Sequence, residues 1–135
     1  MKSLTTLIIF LFTIHFGIAQ DKNLIVTPLG VVNQRMNFYN QHNFSEFIKL
    51  YAEDVKIYDY PDTLLGTGTA HITPIFKPKF ESKSIQVKII NQMYNGKHVM
   101  NHEMVTENGI ETKYISIYEV KEGLITSVRF VRDYE

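Results

Sequence analysis

Residues 94–130, YNGKHVMNHEMVTENGIETKYISIYEVKEGLITSVRF, decide how this chain folds. Asn95-Gly96 and Asn108-Gly109 each separate two apolar-rich runs, and Lys121-Glu122-Gly123 marks a third break. Asn-Gly is the strongest short hairpin signal, because both central residues of a type I′ turn need positive φ and these two residues reach it at low cost. The spacing predicts strands over 84–94, 97–107, 110–120 and 124–132, joined as a four-stranded antiparallel meander. Strands this long twist strongly, and one face of the sheet needs a cover.

The upstream half supplies it. Thr27-Pro28 reads as an N-cap followed by proline at the first helical position, opening a helix to about Gln41 with Leu29, Val32, Met36 and Tyr39 on one stripe. Asn43-Phe44-Ser45-Glu46 reads as a capping box for a second helix to about Tyr51, its apolar face formed by Phe44, Phe47, Ile48 and Tyr51. The same Asn-Phe-Ser triplet fits a glycosylation sequon, but at a helix cap the structural role is preferred. A short strand follows over Val55–Tyr60, then a loop over 61–69. A third helical stretch runs from about Ala70 to Phe80, which Pro78 should kink or end. Together these predict an α+β fold, a cone-shaped curved antiparallel sheet of the four-strand meander plus a short strand, packed on three N-terminal helices.

The remainder of the chain bounds its setting. Lys2, the apolar run Leu7–Phe16 and the small residues of Gly17-Ile18-Ala19 have the form of a signal peptide cleaved near Ala19/Gln20, which predicts an exported protein, periplasmic or secreted. Residues 20–135 then form one domain. The 135 residues include no cysteine, so no disulfide supports the fold and stability must come from the core. Without Lys2 the charges are nearly balanced, 13 basic against 14 acidic, and leave no electrostatic footprint for nucleic acid or for a membrane after signal cleavage. The 9 Phe and 8 Tyr suit either a large core or an apolar cavity.

Asp59 is the most conspicuous chemical feature. It ends an apolar strand face shared with Val55 and Ile57, two residues before Pro61. A carboxylate there needs a reason, which is general-base chemistry, ligand binding or a turn contact with the backbone N–H groups of 60–63. On the run 99–105, alternation puts Val99, Asn101, Glu103 and Val105 on one face and His98, Met100, His102 and Met104 on the other; a one-residue slip would exchange them. Glu103 is either a second pocket carboxylate near Asp59 or a structural partner of Arg129 or Arg132. His98 and His102 have the spacing of a helical zinc pair, but on a strand they lie roughly 13 Å apart, so no metal and no other cofactor is expected. Tyr114, Ser116 and Tyr118 share the next strand face, and a tyrosine there either packs in the core or donates to a substrate carbonyl. Ile115 and Ile117 point the other way and form an apolar outer patch.

Several pieces carry a family resemblance: Phe38-Tyr39-Asn40 closing the first helix, FIKLYAED over 47–54, then VKIYDYPD, Leu65-Gly66 ahead of Ala70-His71-Ile72, and IYEVKEGLITSVRF over 117–130. In their order and spacing they resemble the nuclear transport factor 2-like superfamily, in its SnoaL-like and ketosteroid-isomerase-like branch, over residues 28–132. The resemblance implies a cone-shaped α+β barrel with an apolar pocket, often dimeric through the outer sheet face, among isomerases, cyclases, dehydratases, epoxide hydrolases and non-enzymes. It places Asp59 where ketosteroid isomerases hold their proton-shuttling aspartate, while their oxyanion tyrosine and second aspartate fall on Arg35 and Ser116. It turns Asn101 and Glu103 inward and implies a ligand lining drawn from Arg35, Tyr39, Asn101, Glu103, Tyr114, Ser116 and Phe130. The expected function is an exported protein with a pocket for a small apolar molecule. One alternative is an isomerase, cyclase or dehydratase with Asp59 as general base and Tyr118, Asn101 or His102 polarising the substrate. The other is a dimeric, non-catalytic interaction module.

Overall fold

The computed structural model describes residues 26–133; the expected signal segment lies outside the described residues. The chain forms helices α1 (Pro28–Asn40) and α2 (Phe44–Lys49), strands β1 (Tyr51–Asp59) and β2 (Thr63–Thr67), helix α3 (Thr69–Glu81), then β3 (Ile85–Asn95), β4 (His98–Glu107), β5 (Ile110–Lys121) and β6 (Leu124–Val131). One six-stranded sheet runs in the order β2-β1-β6-β5-β4-β3. It is mixed rather than wholly antiparallel, because β1 lies parallel to β6 while every other neighbour is antiparallel. The sheet curves without closing, and the helices pack on its inner face, which bears out the α+β cone.

Local chemistry explains the elements. Thr27 accepts a hydrogen bond from the Gly30 N–H and Pro28 opens α1. Asn43 caps α2 by accepting from the Glu46 N–H, while the Glu46 carboxylate pairs with Lys49 instead of completing the box. The turn at Asn108-Gly109 has φ of 51° and 80°, and that at Glu122-Gly123 has 50° and 78°, the positive pair a type I′ hairpin requires. The first hairpin sits one residue further on than its Asn-Gly suggests. Asn95 pairs with His98, so Gly96 and Lys97 make the loop and only Gly96 has positive φ.

Three elements differ from expectation. β1 begins at Tyr51 and α2 ends at Lys49, because the apolar face of 44–51 turns from helical to extended spacing at Leu50. The expected loop 61–69 contains β2, which pairs antiparallel with β1 from Lys56↔Thr67 to Asp59↔Thr63. α3 passes through both Pro74 and Pro78. Both prolines are exposed, as is Ala70, so the Ala70 and Pro74 carbonyls freed by the missing N–H groups lie on the wet side of the helix.

The core centres on Phe47, fully buried, with the rings of Tyr39, Phe44, Tyr51, Phe76 and Phe80 around it at centroid separations from 4.8 to 6.2 Å. Val31, Val32 and Met36 of α1 and Ile72 of α3 join it from above; Val99, Tyr118, Ile125 and Val128 join it from the sheet. This cluster fills the closed end of the cone and leaves a cavity toward the other.

Candidate functional site

The cavity has a volume of about 340 Å³. Its apolar wall comes from Ile57, Val87, Val105, Val128 and Phe130 of the sheet and from Ile72, Ile75 and Phe76 of α3. Leu65 of β2 and His71 complete the wall on the β2 side. Gly66 makes that placement possible, because a Cβ there would collide with the His71 ring.

Arg35 forms the inner end with Tyr39, Tyr51 and Glu103. Its residue is 3% exposed, yet its guanidinium carries a charge with no carboxylate oxygen within 4.0 Å among the described residues. Three rings enclose it: Tyr39, Phe47 and Tyr118, at 5.5, 5.2 and 5.2 Å from the guanidinium carbon. Nε donates to the Tyr51 hydroxyl at 2.5 Å, and Nη1 has only the Met36 sulfur, at 3.7 Å. Burial disfavours this charge, but the electrostatics of Tyr118, Tyr51 and Glu103 outweigh that and hold the pKa above its already high ordinary value. Arg35 is a permanent cation in a low-dielectric site.

Glu103, 2% exposed, lies near Arg35 but outside ion-pair distance. Its carboxylate accepts from Ser116 Oγ at 2.7 Å, from the Tyr118 hydroxyl at 3.3 Å to each oxygen, and from Asn101 Nδ2 at 3.3 Å. Gln92 in turn donates to Asn101 Oδ1 and lies against Asn33 of α1, each at 2.9 Å. Burial raises the pKa of Tyr39, Tyr51 and Tyr118, so all three hydroxyls keep their protons near neutrality and act as donors.

The outer part of the cavity carries two ion pairs. Lys79 and Glu107 both line it and meet at 2.8 Å. Arg132 lines it and reaches Asp59 with Nε to Oδ1 at 3.5 Å. Asp59 itself stands just behind this wall. It ends β1 opposite Phe130 of β6 and Thr63 of β2, with a side chain 21% exposed.

The sequence-predicted residues therefore separate into groups. Arg35, Tyr39, Glu103, Tyr114 and Phe130 line the cavity. Asn101, Ser116 and Tyr118 lie behind it, fully buried, as donors to Glu103. His102 belongs to neither. Val99, Asn101, Glu103 and Val105 face inward without a slip, so His102 is half-buried on the outer face, and its role as a polarising group is corrected accordingly. Glu103 is not paired with Arg129 or Arg132 either; Arg129 pairs with Asp62 and Arg132 with Asp59. Tyr51, His71, Lys79, Glu107 and Arg132 were not anticipated. Tyr51 was hidden by its reading as a helix end, and the α3 residues by the two prolines that obscured the helix carrying them.

The family model for the SnoaL-like domain matches residues 32–128. No curated protein matches the chain. Among solved structures, a nuclear transport factor 2-like protein of unknown function from Cytophaga hutchinsonii superposes with a TM-score of 0.69 at 18% identity, covering 80% of this chain and 91% of that one. An uncharacterized cystatin-fold protein from Novosphingobium aromaticivorans gives 0.71 at 15% identity, covering 78% and 98%. An LEH-like epoxide hydrolase of M. tuberculosis gives 0.63 at 15% identity, covering 78% and 82%. At these identities the likeness is one of fold.

Proposed function

The chain belongs to the SnoaL-like domain family, and from that premise we propose that it is an exported protein that binds a small, largely apolar molecule in the cavity of its cone. The observation that carries this reading is the cavity itself, about 340 Å³ with an apolar wall and a few convergent polar groups at its inner end. Ligand pockets of roughly 300–1,000 Å³ have this composition, and the volume belongs to the small end of that range. The signal-like segment 1–19 supports export. The outer sheet face, where Met93, Ile115 and Ile117 surround Met100, His102 and Met104, supports self-association as a homodimer. Native mass spectrometry of the purified protein, followed by solvent extraction, tests both parts. A bound small molecule on a dimer is the expected result. An empty monomer that also fails to shift its pocket methyl resonances with any member of an apolar fragment set would overturn the proposal.

A second reading, proton-transfer catalysis, rests on the Asp59–Arg132 pair at the cavity wall. Asp59 would abstract a proton beside a carbonyl, with the pocket holding the substrate's apolar body. Hydrogen–deuterium exchange at the α-carbon of ketone and enone substrates checks it. Equal exchange by the wild type and Asp59→Asn would remove Asp59 as the base.

A further inference from the structure

Two side chains at the inner end of the cavity present donors that nothing among the described residues accepts. Arg35 Nη2 makes no hydrogen bond, since the guanidinium bonds only through Nε and Nη1. The Tyr39 hydroxyl makes none either, although the residue is only 4% exposed. Among the described residues no fully enclosed side-chain nitrogen or oxygen lacks a partner, so both groups open onto the cavity they line. Tyr51 adds a third proton there. Its oxygen is occupied as the acceptor for Arg35 Nε, and its own O–H remains to be donated.

Acceptors are the missing half. Both oxygens of Glu103 are engaged by Ser116, Tyr118 and Asn101, and Glu107 is held by Lys79. Arg35 is also the one lysine or arginine of the lining, among the described residues, without a carboxylate within 4.0 Å; Lys79 and Arg132 each have theirs. A buried cation is costly unless an anion and its hydrogen bonds compensate it. A carboxylate offers acceptor sites to several donors at once and matches guanidinium geometry.

We infer that the pocket takes an amphipathic monocarboxylate, its apolar body against Val105, Val128, Phe76 and Phe130 and its carboxylate accepting from Arg35 Nη2, the Tyr39 hydroxyl and the Tyr51 hydroxyl. Glu103 opposes a second negative charge, but its three donors already spread its own charge over β4 and β5. This inference names the ligand class for the proposed pocket and rests on that reading.

Matched probes separate the two. 2-Naphthoate, 2-naphthamide and 2-methylnaphthalene share one apolar body and differ in the group offered to Arg35. Titration followed by pocket methyl resonances should show the carboxylate binding at least about tenfold tighter than the amide, with the hydrocarbon weakest. Tyr39→Phe, which keeps the ring and removes one donor, should reduce the carboxylate's lead over the hydrocarbon several-fold. Arg35→Met, checked by thermal unfolding, should abolish the lead. Equal affinity for all three probes would overturn the anchor and leave the apolar pocket standing. An amide as tight as the carboxylate would overturn the anionic class. Binding by none would overturn both.

Discussion

Glu103 and Asp59 are two carboxylates beside one cavity, each on a strand of the same sheet and each near an arginine, and their environments differ sharply. Glu103 is 2% exposed, accepts from three side chains and, among the described residues, stands more than 4.0 Å from any arginine or lysine nitrogen. Asp59 has a side chain 21% exposed and an arginine at 3.5 Å whose own side chain is 38% exposed. The first is held by three short-range donors in a buried setting; the second takes part in a partly solvated ion pair. Burial makes the inner acid depend on its fixed donors, whereas water shares in solvating the outer one.

The strongest way to break that contrast is at Glu103. Glu103→Leu strands the Ser116, Tyr118 and Asn101 donors and removes the nearby negative charge for Arg35; loss of one member of a buried charge network costs about 3–5 kcal/mol. Urea unfolding should show most of the protein's stability gone, and a loss below about 1 kcal/mol would show that the network is relaxed in solution. Tyr118→Phe keeps the ring over Arg35 and deletes one donor, for an expected loss of about 1–1.5 kcal/mol in the same measurement. Asp59→Asn, in a partly solvated site and nearly isosteric, should cost less, about 1 kcal/mol; a loss as large as that of Glu103→Leu would place Asp59 in the same class as Glu103.

A third carboxylate, outside the cavity, sharpens the scale at its low end. Lys97 at 2.8 Å and Lys121 at 3.0 Å donate to Glu119 and lower its pKa to about 2, from an ordinary 4.5. The folded value lies below the unfolded one, so this stabilisation is fully present above pH 4.5 and is lost as pH falls toward 2. Both lysines are about half exposed, which keeps the effect small. Acid unfolding of Glu119→Gln should be slightly flatter than wild type across that window. Identical curves would show that the pair is screened out.

How much of this was legible in the sequence follows from the same difference in setting. The meander could be read because Asn108-Gly109 and Glu122-Gly123 supply turn chemistry that only a few residue types tolerate. Asp59 stood out because it ends an apolar run, where a charge is locally anomalous. Glu103 was visible only as one of two alternating faces, and the choice between them depended on register, which the turns set. The Arg35 site could not be composed in advance. Its members come from α1, α2, β1, β4 and β5, and only the tertiary fold brings Phe47, Tyr51, Glu103 and Tyr118 to one guanidinium. β2 escaped notice because Thr63–Thr67 is short, contains Gly66, and is a strand only by virtue of pairing with β1. α3 was obscured by prolines whose cost water absorbs.

The parallel seam between β1 and β6 has a consequence for biosynthesis. Tyr51 meets Ile125 across it, whereas every other strand pair is closed by a local connection. Until β6 has left the ribosome, β1–β2 and β3–β5 are two separate sheets, and the cavity lacks Val128, Phe130 and Arg132. β6 thus joins the two halves of the sheet, and its pairing with β1 is the strand contact that has to close over the longest stretch of chain.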